Sequence, residues 1–204
     1  MNLPHNIWKR RIEEDLKGLY NHPRVGIRNV SPGVDEVNFD LILHGAAIVS
    51  HAGDIATEHT LHVVLSRDYP YQMPIIKWVT PIWHPNVYPD SSICIGLLKS
   101  YVWKDTNSLN EVAMALINFL TSHDATDAAN SAARTWYIDN PEKIMEVKRQ
   151  DKLVEEQLKI PKRIVIKARQ TIQPTTPHPI QTKTGAQSAQ AVAPQTVTKI
   201  RINK

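Results

Sequence analysis

Between Val37 and Val79 the chain carries three apolar runs in the period of a half-buried strand, and no helical segment lies between them. Val37, Phe39, Leu41 and Leu43 alternate with polar or outward positions, and Leu61, Val63 and Leu65 repeat the pattern. Ile75-Ile76-Lys77-Trp78-Val79 sits between Pro74 and Pro81 and reads as a further strand. A period of two puts the apolar side chains of each run on one face. Connections this short cannot hold a crossover helix, so the strands pair with their sequence neighbours in an antiparallel meander of three or four strands, not in βαβ units.

An apolar sheet face needs cover, and helical patterns flank the strands. Ile7, Trp8, Ile12, Leu16, Leu19 and Tyr20 recur at three-and-four spacing with Lys9, Arg10, Arg11, Glu13, Glu14 and Lys17 on the wet side. Asn21-His22-Pro23 closes that helix. Downstream, Ser108-Leu109-Asn110-Glu111 forms a capping box ahead of Val112, Ala113, Leu116, Ile117 and Leu120. A shorter helix is expected around Ala128 to Tyr137. Asn140-Pro141-Glu142 then supplies the cap, first-turn proline and early acid of a last helix through Ile144, Val147, Val154 and Leu158. The layout is α+β: an N-terminal helix, a four-stranded antiparallel meander and C-terminal helices, with the sheet covered on one face.

The charge divides the chain in two. Residues 1–158 carry 15 Lys+Arg against 20 Asp+Glu, and residues 159–204 carry nine Lys+Arg and no acid. From Pro161 onward there are five prolines and no aromatic residue, a composition that cannot bury enough apolar surface to offset its chain entropy. The expectation is a folded core over residues 1–160 and a basic, disordered Pro/Gln/Thr-rich tail over residues 161–204. Such a tail suits an acidic partner, nucleic acid or an anionic membrane surface. A single cysteine excludes an internal disulfide and any multi-thiolate metal site, and with no N-terminal apolar run it points to a reducing, cytoplasmic setting. No stretch reaches the roughly 18 apolar residues of a membrane span. The nine histidines lack the paired spacing of a zinc site, so neither metal nor organic cofactor is expected.

That cysteine, Cys94, lies eight residues after the triplet His84-Pro85-Asn86, in a stretch rich in turn residues. The reading is an irregular surface loop carrying a reachable thiol. Around it the chain resembles the ubiquitin-conjugating enzymes over roughly residues 5–158. Arg10-Arg11-Ile12 is similar to the basic start of that family's first helix, and Tyr69-Pro70-Tyr71-Gln72-Met73-Pro74 to its Tyr-Pro-x-x-x-Pro turn. His84-Pro85-Asn86 is its tripeptide, Cys94 stands at its nucleophile spacing, and Trp103 lies near its following tryptophan. There are departures. Ile48 to Asp54 replaces the family's glycine-rich hairpin, Ile95-Gly96 replaces Leu-Asp after the nucleophile, and Ser122 to Asp127 lacks the prolines of its acidic loop. These suit a divergent member serving ubiquitin or a ubiquitin-like modifier.

The resemblance implies an acyltransferase that takes a modifier from an activating enzyme as a thioester on Cys94 and passes it to a lysine, directly or with a ligase. A free cysteine is already a few per cent thiolate at neutral pH, so the first step needs no dedicated base. Asn86 is a candidate donor to the thioester's oxyanion, a contribution of about 3 kcal/mol in comparable sites, or else a residue that fixes the turn. Asp127 falls where the family carries an acid facing the incoming lysine, where it can orient and help deprotonate the amine. Asp124 is a second acid in the same loop, and either acid can instead cap the following helix. His84 and Pro85 are structural in this reading. By the same resemblance Lys9, Arg10 and Arg11 face the activating enzyme, and Tyr71 with the Trp103-Lys104-Asp105 loop faces a ligase. Two other readings use the same residues: a non-catalytic modifier-binding scaffold of this fold, and a Cys-His hydrolase, which His84 is poorly placed to serve.

Overall fold

The computed structural model describes residues 2–124 and 126–159. The tail expected from Pro161 onward, with its apolar patches near Ile164 and Ile200, lies outside them. Helix α1 spans His5–Tyr20 and is followed by strands β1 (Val25–Pro32), β2 (Glu36–Ile48), β3 (Ile55–Ser66) and β4 (Ile75–Trp78). A 3-10 turn over Gly96–Leu98 precedes helices α2 (Leu109–Thr121), α3 (Ser131–Asp139) and α4 (Pro141–Lys159).

The four strands form one antiparallel sheet in sequence order. The register sets Phe39 opposite Val63 and Leu41 opposite Leu61, with Ile76 continuing the row from Val63 onto β4. Alternation thus delivers these side chains to the same buried face, as the sequence pattern implies. The fourth strand is β1. Its pairing with β2 breaks between Arg28 and Ser31, where Asn29 adopts φ 54°. This bulge explains why the apolar alternation fades after Ile27.

Helix α1 buries Trp8, Ile12 and Leu19 against the sheet, and the Trp8 indole donates to the Ser66 carbonyl at 3.1 Å. Helix α2 buries Val112, Ala113, Leu116, Ile117, Phe119 and Leu120 in the same core. Its start is the predicted capping box, complete in both directions between Ser108 and Glu111. Helix α3 begins later than expected, at Ser131, because Asn130 accepts from the Ala133 amide and caps it there. Asn140 spends its side chain on the end of α3, donating to the Trp136 carbonyl at 2.8 Å.

A second, smaller core sets up the functional loop. Ala46, Ile48, Tyr137 and Val147 pack together with Trp83 and Trp136 against them. Helix α4 is fastened there by Asp151, which accepts from Arg24 and from the Ala46 amide at the β2 bulge. Any side chain at Gly45 would collide with Arg24 and Leu120, so glycine is required for this close approach.

Candidate active site

The Cys94 segment leaves the small core at Trp83, whose amide donates to the Ile48 carbonyl at 2.8 Å while its own carbonyl accepts from the Tyr137 hydroxyl at 2.9 Å. His84 follows, buried to 1 % exposure and stacked on Phe119 with ring centroids 4.0 Å apart. Its Nδ1 accepts from the Asn86 amide at 3.1 Å, which leaves the proton on Nε2 to be donated to the Ser122 carbonyl at 3.0 Å. Burial pushes the imidazole down to about 3, so the ring is neutral at physiological pH. Pro85 offers its carbonyl to the Asn130 amide at 2.8 Å, joining the triplet to the start of α3.

Asn86 is 3 % exposed, and its carboxamide is fully engaged. Nδ2 donates to the Asp124 and Asp127 carbonyls, both at 3.0 Å, and Oδ1 accepts from the Asp124 amide at 2.8 Å. No amide hydrogen is left over for a thioester oxygen. In this arrangement Asn86 ties the triplet to the loop that carries Asp127.

The segment expected to be an irregular loop is a tight hairpin. The Cys94 amide donates to the Asn86 carbonyl at 2.8 Å, Val87 bridges Ile93, and the Tyr88 amide donates to the Ser92 carbonyl at 2.9 Å. Ser91 takes φ 66° at the turn. Lys77 of β4 bonds Asp90 and pairs with Ser92, stapling the hairpin to the sheet. Two prolines and a polar run hide this pairing from a pattern search, because only a few residues alternate.

Cys94 is partly exposed and opens onto a cleft of about 360 Å³ that Asn86, Gly96, Lys99, His123 and Asp127 also line. Asp127 projects from the loop, 68 % exposed, and its Oδ2 lies 3.1 Å from Nζ of Lys99. That bond, with a smaller contribution from Tyr101, pushes the Lys99 ammonium up to about 12. Asp124 folds back on its own loop, its Oδ1 accepting from the amide and hydroxyl of Thr126, and those bonds hold its carboxyl below the usual range. The neighbouring Cys94 thiol raises the Tyr88 phenol above its ordinary value. Partial burial lowers the His123 imidazole, whose ring stands edge-on to Tyr137 at 4.9 Å.

Lys99, Tyr88 and His123 escaped the sequence reading. The signal available for Lys99 was a basic residue five positions beyond the lone cysteine, and for Tyr88 a hydroxyl within the same turn-rich stretch.

The residues expected at partner surfaces divide. Lys9 and Tyr71 are exposed, as is Arg10, which makes only an exposed ion pair with Glu14 at 3.0 Å. Arg11 is engaged within the chain. It pairs with the buried Asp15 at 2.7 Å, donates to the Asp105 and Asn107 carbonyls, and lies over the Tyr69 ring at 5.6 Å. Trp103 is likewise buried, at 9 % exposure, with its indole donating to the Pro70 carbonyl at 2.7 Å. An amphipathic aromatic buries its apolar body wherever a partner for its N–H exists. Among the described residues, no helix is long and apolar enough to cross a membrane.

Comparison with known proteins agrees with this architecture. The fold is similar to S. cerevisiae Ubc12, with a TM-score of 0.56 and 18 % identity over 68 % of this chain and 76 % of that one. It is equally similar to the E2 domain of a Toxoplasma gondii ubiquitin conjugating enzyme, at TM-score 0.56 and 22 % identity over 72 % and 97 % of the two chains. In sequence the chain is 27 % identical to ubiquitin-conjugating enzyme E2 3 of Arabidopsis thaliana over 132 residues, 65 % of this chain and 85 % of that protein. It is 25 % identical to ubiquitin-conjugating enzyme E2 1 of Caenorhabditis elegans, again over 132 residues, 65 % of this chain and 67 % of that protein. Residues 11–151 match the family model described as ubiquitin-conjugating enzyme, and the chain belongs to that family.

Proposed function

We propose that this chain accepts ubiquitin or a ubiquitin-like modifier as a thioester on Cys94 from an activating enzyme and transfers it to a lysine amine, directly or with a ligase. The observation that carries the reading is the cleft itself: the chain's one thiol and the Asp127 carboxylate open onto the same space.

In the first step the Cys94 thiolate attacks the carbonyl carbon of the modifier's thioester on the activating enzyme. A new C–S bond forms, the old one breaks, and the departing thiolate takes up a proton. Bond energies are similar on the two sides, so access matters more than base catalysis, and Cys94 is partly exposed. In the second step an amine attacks the Cys94 thioester. It must lose a proton, and the Cys94 thiolate leaves. Asp127 is exposed enough to meet a protonated amine, orient it and assist its deprotonation. Asn86 acts through the loop: by clamping the carbonyls of Asp124 and Asp127 it fixes where that carboxylate stands. His84, neutral and buried, holds the loop and moves no proton.

The exposed Lys9 and Arg10 suit an encounter with the activating enzyme. Tyr71 lines a groove with Ile7, Arg10, Pro70, Asp105 and Thr106, which suits a ligase. We assign the chemistry to residues 1–160 in a reducing, cytoplasmic setting. To residues 161–204, which are basic in composition, we assign an acidic partner, nucleic acid or an anionic membrane surface. The test is charging with an activating enzyme, ATP and candidate modifiers: a lasting thiol-sensitive adduct supports the transferase, free modifier released from its thioester a hydrolase, and no covalent product a scaffold.

A further inference from the structure

Lys99 holds the carboxylate to which the transferase reading assigns the incoming amine. Its Nζ lies 3.1 Å from Oδ2 of Asp127, and both side chains line the cleft onto which the Cys94 thiol opens. The cleft's other acid, Asp124, has its Oδ1 turned back onto Thr126. Asp127 is therefore the carboxylate an acceptor ammonium would meet, and a lysine of this chain already holds it.

We propose that Lys99 is a specificity-determining residue, occupying the acceptor's seat on Asp127 so that a free amine in solution is disfavoured against one carried on a protein docked to this chain. The inference rests on the transferase reading above. Lys99 and Asp127 belong to one folded cleft, so their pair forms within the chain, with the strength of an exposed ion pair. A dilute amine does not compete with that, whereas a lysine on a docked target gains the same advantage and exchanges with it. Lys99 does not take the acyl group itself. With its ammonium held near 12, only about one molecule in 10⁵ carries the free amine at pH 7. Tyr101 and Tyr88 also act on this pair, and neither phenol adds a competing cation.

The test is single-turnover discharge of the isolated thioester into free lysine from about 1 to 100 mM, with rates normalised to the charged fraction. Lys99→Met is expected to lower the half-saturating lysine concentration about two- to five-fold, the factor an exposed ion pair supports, with the maximum rate unchanged. Lys99→Arg, which keeps the pair, is expected to behave as the parent chain. An unchanged half-saturation in Lys99→Met overturns the proposal. So does a fall in its maximum rate, which would make Lys99 a participant in the chemistry, or a thiol-resistant adduct on Lys99 itself by mass spectrometry. Failure of the parent chain to charge is seen before any amine is added and counts against the transferase reading instead. In the uncharged chain, NMR titration of the Lys99 ammonium is expected near 12 and should fall toward about 10.4 in Asp127→Asn. No change between the two would show that the seat is empty, against the proposal.

Discussion

The side-chain amide of Asn86 donates to the backbone carbonyl of Asp127 at 3.0 Å, across 41 residues of sequence. The tripeptide before the cysteine and the acid beyond α2 are therefore one mechanical unit. A second bond to Asp124 and the return bond from the Asp124 amide complete it.

Removing that unit should loosen the loop more than it affects the thiol. Asn86→Ala leaves two carbonyls and an amide of the 124–127 loop without their partner, at about 1–3 kcal/mol for each group that water does not reclaim. The expected result is a lower melting temperature, faster amide exchange in the loop, and slow discharge to lysine with near-normal charging. Unchanged exchange at Asp124 would contradict the positioning role.

Asp127→Ala should also charge nearly normally and discharge slowly, but its discharge defect should ease as pH rises toward 9.5 and free amine becomes abundant. Asn86→Ala should show only the rise that the parent chain shares. Discharge rates across pH 7 to 9.5 distinguish the two, and parallel profiles would count against a proton-handling role for Asp127.

The basic trio of α1 should split on mutation. Arg10→Glu reverses an exposed charge and should slow charging while leaving stability within about 0.5 kcal/mol of the parent. Arg11→Ala removes the partner of buried Asp15 and should cost about 1–3 kcal/mol in urea unfolding. Trp103→Ala belongs with Arg11, at about 3–5 kcal/mol, since its ring is buried and its N–H bonded.

Acid should unfold the domain early. His84 is held neutral down to about 3 in the folded chain but binds a proton near 6.5 once unfolded. Between those values the unfolded state binds more protons, so stability falls as pH falls, by about 1.4 kcal/mol per unit from this group. Buried His59, also lowered by burial, adds in the same direction. Urea midpoints from pH 7 to 4 should decline, and His84→Gln should flatten the slope. An unchanged slope would mean His84 is not buried neutral.

What was legible in the chain was local. The α1 periodicity, the Ser108 capping box and the alternation in β2 and β3 depend on residues within a few positions of one another, and all appear in the structure. The missed features were set by distant partners. Arg11 looks like any solvated helix arginine until the Asp105 and Asn107 carbonyls arrive from 94 and 96 residues away. Trp103 reads as a surface aromatic until Pro70 offers its carbonyl. The Lys99–Asp127 pair spans 28 residues and two loops, with no periodic signal in either. Strand β1 escaped because its bulge at Asn29 breaks the alternation that would mark it.

The central claim is that Cys94 carries the modifier, and the most direct measurement is charging with an activating enzyme, ATP and modifier, resolved on a non-reducing gel. The account predicts an adduct that disappears on adding thiol, is absent from folded Cys94→Ala, and becomes thiol-resistant in Cys94→Lys through an isopeptide bond. An undiminished adduct on Cys94→Ala would contradict it.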